Sequence, residues 1–572
     1  MRQFLFFEIV NRFYKEKKLK FNLLFILSLF AGLFEYMGLI LIFQFVLFLS
    51  SPTSKYCELI TQFFKNNFNI TDFSKISLIM GITIAAIYIL KNIYMLIFTR
   101  IINGALEDLS TKITLKLIKN LLFQDYIKTS KITPEEKLNI LSKNEYIIWQ
   151  YCYKFINLIS NCAIAIILIA YLFIKFTLSA IIAVSFISIL ALIEYYYLKK
   201  NSTYQNKHFS CCFDELNSKL IKTVNLIKEI KINNKYDEFT KNIETSSKEY
   251  AKLNKDRTFC SIFHIYFTEI SVMLAFVLVL GSLFYTTNFN NQLLITTITT
   301  ICVIILRLTP VINRAQSCLY SINSNRAFVY ELVEFDKKFE NIEFKVIEEK
   351  LEFNSDIELK NVYFSYDEKD GLKDINLKIK KNEFIGIVGK SGCGKTTLSL
   401  ILSGLIKPQK GEVIIDNVAL KKEDYQKWQN NISLLTQDFD FLFDETKNIS
   451  KDYIEKLELN NINSNLNNLS AGEKQRIALA NILSQGKNIL ILDEITSSLD
   501  VLAEEKINEI LEELKGKKTI ISIAHRLNIL KHCDKIIYMD EGKIIDINSF
   551  KALSDKYQEF KKIIELSKIE LN

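Results

Sequence analysis

The sequence predicts two joined domains: an all-α domain of six membrane-spanning helices, followed by an α/β domain. Long apolar runs recur through residues 20–325, and several reach the roughly 20 residues that a bilayer requires. Beyond residue 357, short apolar segments end instead in a glycine-rich loop, two carboxylates or a histidine, as buried strands of an α/β sheet do. The chain has 572 residues, is 49% hydrophobic and still 24% charged, which fits a membrane half joined to a soluble half.

The membrane half contains six apolar runs. We expect spans near residues 20–50, 76–100, 155–174, 176–198, 259–284 and 293–325. Lys and Arg are concentrated in the amino-terminal segment and in the two long loops, whereas the outer loops carry few, so both termini are expected in the cytoplasm. This bias explains the net charge of +8 better than nucleic-acid binding does, and we expect no nucleic-acid partner.

Two shorter segments of the membrane half have amphipathic patterns. Residues 1–20 lack a signal-peptide cleavage site and predict an interfacial amphipathic helix. Between the first two spans, Tyr56, Leu59, Ile60, Phe63 and Phe64 fall at helical spacing. A short helix on the outer membrane surface fits this pattern, and a loose external loop fits it equally well. The ten cysteines show no metal-ligand spacing and are interpreted as reduced thiols.

The soluble half is organised around a phosphate-binding loop. Residues 383–397 form an apolar strand, the pattern G-x-x-x-x-G-K-T and the start of a helix, which is the context of a P-loop. In such a loop Lys395 reaches the β- and γ-phosphates, and the Thr396 hydroxyl ligates Mg²⁺. The predicted phosphate-binding residues are Gly389, Lys390, Ser391, Gly392, Cys393, Gly394, Lys395, Thr396 and Thr397.

Two further buried strands deliver polar groups to the same sheet edge. Residues 488–494 end in Asp493 and Glu494, and residues 518–525 end in His525. Beside a P-loop, Asp493 would hold Mg²⁺ and Glu494 would activate the water that attacks the γ-phosphate. A lone histidine is more often structural, but at the carboxyl edge of the sheet we expect His525 to contact the γ-phosphate.

These motifs resemble, in order, those of the nucleotide-binding domain of ATP-binding cassette (ABC) transporters. The resemblance implies ATP and Mg²⁺ as cofactors, an α/β P-loop NTPase fold and ATP hydrolysis coupled to transport. It makes Tyr366 the residue that stacks on adenine, and Gln437 a catalytic residue that touches both the metal and the membrane domain. The remaining matches are the signature residues Ser470, Ala471, Gly472 and Glu473, the D-loop residue Asp500 and the switch histidine His525.

The soluble half departs from this family in two places. The signature is most often Leu-Ser-Gly-Gly-Gln, and here Ala471 and Glu473 replace a glycine and the glutamine. Leu469 follows Gln437 by only 32 positions, so the helical subdomain between them is expected to be shortened. The predicted boundaries are a transmembrane domain at 1–334, a linker at 335–356 and a nucleotide-binding domain at 357–572.

The membrane half resembles exporters in which six spans are fused to one nucleotide-binding domain, and within them bacterial flippases of lipid-linked oligosaccharides. The closer resemblance rests on Glu35 in the first span, on Arg307, Pro310 and Arg314 in the sixth, and on the external amphipathic segment. It implies a bacterial inner membrane, and a homodimer or a pair with a related half-transporter. It also implies an amphipathic, lipid-linked substrate; a peptide or drug exporter, and an ATP-binding regulator that transports nothing, are the alternatives.

Arg307 and Arg314 lie seven residues apart and therefore on one face of the sixth span. At 1.5 Å per residue from Leu293, Arg307 lies roughly 21 Å below the outer surface, where a charge faces a cavity or a partner. Both arginines are candidates to grip a polyprenyl diphosphate headgroup. The equally weighted alternative is that Arg307 pairs with Glu269.

Overall fold

The protein is described from a computed structural model. The described residues are 5–15, 18–50, 55–175, 177–286, 291–339, 346–366, 371–436, 449–459, 469–493, 501–523, 527–558 and 560. The chain divides into a helical unit, Met1–Gln124 with Ile132–Ile342, and an α/β unit, Asp125–Lys131 with Glu343–Asn572.

In the described part of the helical unit six long helices dominate, and each overlaps one of the predicted spans. They are α2 (Lys18–Ser50), α4 (Phe73–Phe123), α7 (Tyr153–Lys175), α8 (Thr177–Asn225), α10 (Tyr236–Thr286) and α11 (Asn291–Ser324). At 1.5 Å per residue, the 51 residues of α4 extend about 76 Å, far more than a bilayer core of about 30 Å. By length and composition alone, three described segments qualify as spans: Phe73–Phe123, Pro134–Ala170 and Tyr236–Ser282.

Shorter helices complete this unit and connect its long ones. They are α1 (Leu5–Phe13), α3 (Lys55–Phe68), α6 (Pro134–Ser142), a π-helix (Tyr146–Cys152), α9 (Ile227–Ile232) and α12 (Arg326–Lys338). The helix α12 ends inside the segment where the sequence predicts a linker. α5 (Tyr126–Ser130) belongs to the α/β unit instead.

The helix α1 is amphipathic as expected, but protein covers its apolar face. Phe6 and Ile9 are fully buried in the main core of the helical unit, where the ring of Phe6 stacks on Phe155 at 4.7 Å. The expectation that this face lies at the membrane interface is therefore wrong, because neighbouring helices supply the apolar contacts that lipid would otherwise supply.

The segment between the first two spans is helical, so of the two alternatives left open there the helix is correct. In α3, Ile60 and Phe64 pack against the buried side chains of Phe48 and Ile76. The opposite side leaves Leu59 and Phe63 each 58% exposed. The helix α3 therefore presents apolar side chains both to the protein and outward.

A buried carboxylate ties three elements of the helical unit together. The side chain of Asp336 in α12 is only 2% exposed. It accepts a hydrogen bond from Arg12 at 2.9 Å, from the Lys116 ammonium at 3.0 Å and from the Asn120 amide at 2.9 Å. Because these donors lie in α1 and α4, the charge of Asp336 holds both elements against α12.

The described part of the α/β unit contains two sheets. The smaller has the order β2-β1-β4-β5 and is antiparallel, with β1 (Asp356–Ser365), β2 (Gly371–Lys380), β4 (Lys410–Ile415) and β5 (Val418–Ala419). The larger has the order β10-β9-β3-β8-β7-β6 and is parallel except for β10. Its strands are β3 (Phe384–Gly389), β6 (Ile432–Leu435), β7 (Ile489–Asp493), β8 (Thr519–Ile523), β9 (Lys535–Asp540) and β10 (Lys543–Asn548).

Helices of this unit pack on the parallel sheet and on each other. They are α13 (Lys395–Leu402), α14 (Asp424–Gln429), α15 (Lys451–Lys456), α16 (Ala471–Ser484), α17 (Val501–Leu514), α18 (Leu527–His532) and α19 (Phe550–Lys556). Between Gln437 and Leu469 the structure describes residues 449–459, which contain the six-residue helix α15; the shortening of the helical subdomain stays a prediction.

The short helix α5 is part of the α/β unit although long helices flank it in the chain. Its Ile127 packs against the core beneath the P-loop strand, and the adjacent Asp125 lies 3.8 Å from the Lys407 ammonium. The chain therefore leaves the helical unit after α4, contributes one helical turn to the α/β unit, and returns.

Candidate functional site

The P-loop joins β3 to α13 through a backbone path that only glycine accepts. Gly394, which precedes α13, has a φ of 102°, in the left-handed region that side chains rarely adopt. A Cβ atom on Gly389 would lie 2.2 Å from the backbone oxygen of Met539. These two positions fix the tight turn that points the start of α13, with its free amides, at the loop.

Lys395 occupies the first position of α13, and its side chain folds back into the loop. The ammonium donates hydrogen bonds to the carbonyl oxygens of Gly389 at 2.8 Å and Lys390 at 3.0 Å, and the residue is 7% exposed. The amino end of α13 adds partial positive charge to that of the ammonium. This loop therefore presents concentrated positive charge to a phosphate chain.

The strand order brings the predicted catalytic segments to one sheet edge. The strand β8 lies between β3 and β7, and Ile523 is in register with both Ile387 and Asp493. Asp493 ends β7 as a buried carboxylate, 8% exposed. Glu494 follows it directly, Gln437 follows β6 after one residue, and His525 follows β8 after one residue, but these three lie outside the described residues, as does Asp500.

The residues near the loop suit Mg²⁺ bound with a nucleotide. The Thr396 hydroxyl is exposed at the start of α13, and the Asp493 carboxylate ends the strand that is two places from β3. Both are hard oxygen ligands, the type that Mg²⁺ prefers when substrate phosphates complete its shell. The ion would neutralise charge that develops on the γ-phosphate during transfer.

Tyr366 stands at the end of β1, next to the P-loop helix. Its side chain hydrogen-bonds that of Thr397, and its ring meets Phe364 edge-on at 4.9 Å. Burial raises the pKa of the Tyr366 hydroxyl above its usual value, so the ring stays neutral. With 41% of the residue exposed, a face remains accessible for stacking on a base.

The signature segment forms the amino end of α16. Ser470 caps this helix, and its hydroxyl accepts a hydrogen bond from the Glu473 amide at 3.3 Å. The Glu473 carboxylate accepts in return from the Ser470 amide and hydroxyl, both at 2.8 Å. The glutamate that replaces the usual glutamine therefore closes a capping box. Ala471 and Gly472 follow Ser470 in the first turn.

The intramembrane charges predicted from the sequence are placed as follows. Arg314 is exposed on α11, and its Nε donates to the Pro310 carbonyl at 3.2 Å. Glu269 is exposed on α10. Arg307 lies on α11, but its side chain is outside the described part of the structure, so its pairing with Glu269 stays a prediction.

A polar network within the spans was missed from the sequence. Glu194 of α8 is buried and accepts a hydrogen bond from the Gln316 amide of α11 at 3.1 Å. The Thr268 hydroxyl of α10 hydrogen-bonds the same glutamine. The sequence did contain a signal for this network, since Glu194 places a carboxylate inside an apolar run, and such a group marks a functional or structural site by default.

The helical unit also contains a polar cavity of about 410 Å³. Its lining residues are Tyr146, Gln150, Lys154, Phe209, Tyr250, Asn254, Arg257, Thr258, Ser261, Ser317, Tyr320, Ser321, Ser324 and Asn325. Lys154 and Arg257 are its charged residues, and none of the described lining residues is acidic. Arg257 is held in place by stacking 4.3 Å from the Phe209 ring and by donating to Asn325 at 2.8 Å.

The soluble half is similar in sequence to known ATP-binding proteins. The ABC transporter family model matches residues 372–497. The energy-coupling factor transporter ATP-binding protein EcfA1 of Mycoplasmopsis synoviae (strain 53) is 34% identical over 239 residues, covering 37% of this chain and 88% of that protein. The ATP-dependent lipid A-core flippase of Wigglesworthia glossinidia brevipalpis is also 34% identical over 239 residues, but the match spans only 41% of that flippase.

A solved structure extends the likeness to the whole chain. The structure of a bacterial Atm1-family ABC exporter with ATP bound superposes with a TM-score of 0.73, covering 95% of this chain and 96% of that one. Its 17% sequence identity limits the conclusion to the fold, and the predicted fold class is confirmed. The chain therefore belongs to the ABC transporter family, and its fold, in which a multi-pass helical membrane domain is joined to an ATP-hydrolysing cassette, is that of an ABC exporter.

Proposed function

We propose that the protein is an ATP-driven flippase that moves an anionic, amphipathic substrate, of the lipid-linked saccharide class, from the inner to the outer leaflet. The observation that carries this proposal is the polar cavity that contains Lys154 and Arg257 without an acidic residue among its described lining. Such a lining attracts an anionic headgroup, and Arg257 can bind phosphate through two parallel hydrogen bonds.

The sequence positions of these cations support binding from the inner leaflet. Lys154 immediately precedes the third predicted span, and Arg257 lies two residues before the fifth. Both therefore lie at the cytoplasmic boundary of the bilayer, where the headgroups of inner-leaflet lipids are found. Hydroxyl groups of Ser261, Ser317 and Tyr320 in the same lining suit the hydroxyl-rich surface of a saccharide.

A route from the cavity into the membrane follows α11. Ser317 in the cavity lining is three residues from Arg314, and Arg307 lies two further turns toward the outer surface. We propose that these arginines receive the headgroup after it leaves the cavity. Outside, the exposed apolar side chains of Leu59 and Phe63 on α3 suit contact with lipid.

We propose a homodimer as the working unit, with a related half-transporter as the alternative partner. Each chain has one P-loop and one signature, and in this family a nucleotide bound at one P-loop is completed by the opposite subunit's signature. The helix α9 supports a partner, because Ile227 and Ile232 are 45% and 80% exposed in a polar region of the chain. ATP and Mg²⁺ at two such sites would drive the cycle, with Glu494 as base, His525 on the γ-phosphate and Gln437 near the metal.

The test is ATPase stimulation of the reconstituted protein by lipid-linked saccharides, by peptides and by hydrophobic drugs. We expect the saccharide lipids to stimulate it and Arg257→Gln to remove most of this stimulation while leaving basal hydrolysis. Lys255→Gln is the matched control, since it removes a positive charge from an exposed side chain of α10 outside the cavity lining. Stimulation by peptides or drugs alone would contradict a saccharide substrate and identify a peptide or drug exporter. Hydrolysis that no compound stimulates would favour a regulator.

A further inference from the structure

Three potential metal ligands converge where α8 and α10 pack together outside the spans. His208 and Cys212 lie one helical turn apart on α8, and Glu249 approaches from α10. One ligand atom from each lies within 4.8 Å of the other two. Linear spacing of the cysteines shows no metal motif, because the third ligand comes from a different helix.

The separation of the first two ligand atoms fits a bound zinc ion. Zinc bonds of roughly 2.3 Å to sulfur and 2.0–2.1 Å to nitrogen, at a tetrahedral angle, place these atoms about 3.6 Å apart. The Cys212 Sγ lies 3.5 Å from the His208 Nδ1. Glu249 is exposed, so its carboxylate can approach by about 1 Å through side-chain rotation alone.

We propose that His208, Cys212 and Glu249 form a binding site for a zinc-like divalent ion that clamps α8 to α10. The combination of thiolate, imidazole and carboxylate suits zinc and does not suit magnesium or calcium, which prefer oxygen ligands. Three protein ligands leave a fourth position for water or an exogenous ligand.

The site lies in a compartment where its thiol stays available. His208 is ten residues beyond the fourth predicted span, and Glu249 is ten residues before the fifth. At 1.5 Å per residue, both lie about 15 Å into the cytoplasm, which keeps thiols reduced. Burial and the nearby Glu249 charge raise the pKa of Cys212, so metal binding displaces a proton from this thiol.

The clamp would act on a wall of the polar cavity. Phe209 and Tyr250, the chain neighbours of His208 and Glu249, both line that cavity, and their rings lie 5.2 Å apart. An ion that fixes α8 against α10 therefore also fixes the separation of these two rings. The proposal itself rests on the ligand geometry and is independent of the transported substrate.

The experiment measures metal on the purified full-length protein, produced with a tag that contains no histidine. After chelator treatment, Zn²⁺ is added, unbound ion is removed, and the zinc content is measured by mass spectrometry. We expect about one zinc ion per chain in the parent protein and in Cys211→Ser, and none in Cys212→Ser. Cys211 is the matched control, since it is the adjacent free cysteine and its side chain is exposed.

Substitution with Co²⁺ and a ligand variant on α10 complete the test. We expect a thiolate-to-cobalt absorption band that is present in Cys211→Ser and lost in Cys212→Ser. Glu249→Gln should weaken Zn²⁺ binding by more than the roughly 10- to 100-fold that loss of an outer-sphere partner costs. Equal thermal unfolding of all variants in chelator shows that they are folded. The proposal would be overturned if the parent protein bound no stoichiometric zinc. It would also be overturned if Cys211→Ser lost as much zinc as Cys212→Ser.

Discussion

Glu494 is the residue that the sequence assigns to activating the attacking water. In Glu494→Gln we expect ATP still to bind and hydrolysis to fall by about 10²- to 10⁴-fold, because the general base is lost while the phosphate contacts remain. Phosphate release and retention of labelled ATP measure the two effects separately. Hydrolysis at the parent rate would exclude this residue as the base.

Glu473 places a negative charge in the signature, where the family usually has a neutral glutamine. Hydrogen bonds from the Ser470 amide and hydroxyl hold the pKa of its carboxyl below the usual value, so it stays charged at neutral pH. In the proposed dimer this charge lies near the partner's γ-phosphate and repels it.

We therefore expect Glu473→Gln to lower the KM for ATP several-fold, because the neutral side chain removes this repulsion. Glutamine can form the same capping box, so the helix end is preserved. Steady-state ATPase assays check this prediction. The conservative variant Glu473→Asp, which keeps the charge, should show no such gain.

Asp336 links three helices, because its one buried carboxylate holds α1, α4 and α12 together. We expect Asp336→Ala to destabilise the helical unit by about 1–3 kcal/mol, since it leaves the buried Asn120 amide and the half-buried Arg12 and Lys116 charges without their acceptor. Thermal unfolding in detergent measures the change.

Asp108→Asn is the control for Asp336→Ala. The Asp108 carboxylate also pairs with a lysine, Lys20, at 2.9 Å, but its side chain is 51% exposed. An exposed pair contributes about 0–1 kcal/mol, so little change is expected. Equal effects of the two variants would contradict the assigned role of burial.

The helix α5 is the element of the α/β unit that the membrane-domain sequence supplies. We expect Ile127→Ser to keep basal ATPase activity and to lose its stimulation by substrate, because Ile127 provides the apolar contact of α5 with the core. Lys128→Ser, at the adjacent exposed position, should retain stimulation. Loss of basal hydrolysis in Ile127→Ser would instead indicate damage to the ATPase fold.

At the scale of the whole molecule, the dimer proposal predicts that two inactive variants complement each other. Lys395→Ala lacks a working P-loop, and Ser470→Arg lacks a working signature, so neither homodimer has an intact site. A mixed dimer has one intact site of two, and random pairing makes half of the dimers mixed, so about a quarter of the parent ATPase activity should return. Restoration requires co-expression; if co-expressed variants stay inactive, sites shared between subunits are contradicted.

The features predicted from the sequence are those that short stretches of chain encode. The P-loop strand, its turn and α13 follow from consecutive residues, so their positions were predictable from Gly389 and Lys395. The cavity was not predictable, since residues as distant as Tyr146 and Asn325 share its lining. The burial of α1 was mispredicted for the same reason: its amphipathic pattern shows that one face is apolar, and only tertiary packing decides whether lipid or Phe155 covers it.

The resting position of Lys395 has a consequence for which ligands the site accepts. A ligand that enters the loop must draw the ammonium away from two carbonyl oxygens, at 2.8 and 3.0 Å, inside a nearly dry environment. A phosphate chain replaces these hydrogen bonds with stronger, charge-assisted ones. Adenosine can stack on Tyr366 but has no phosphate to replace the hydrogen bonds that Lys395 would lose. The loop therefore selects ligands by their negative charge more than by their base. Affinity should therefore rise with each added phosphate far more than it changes between adenine and guanine.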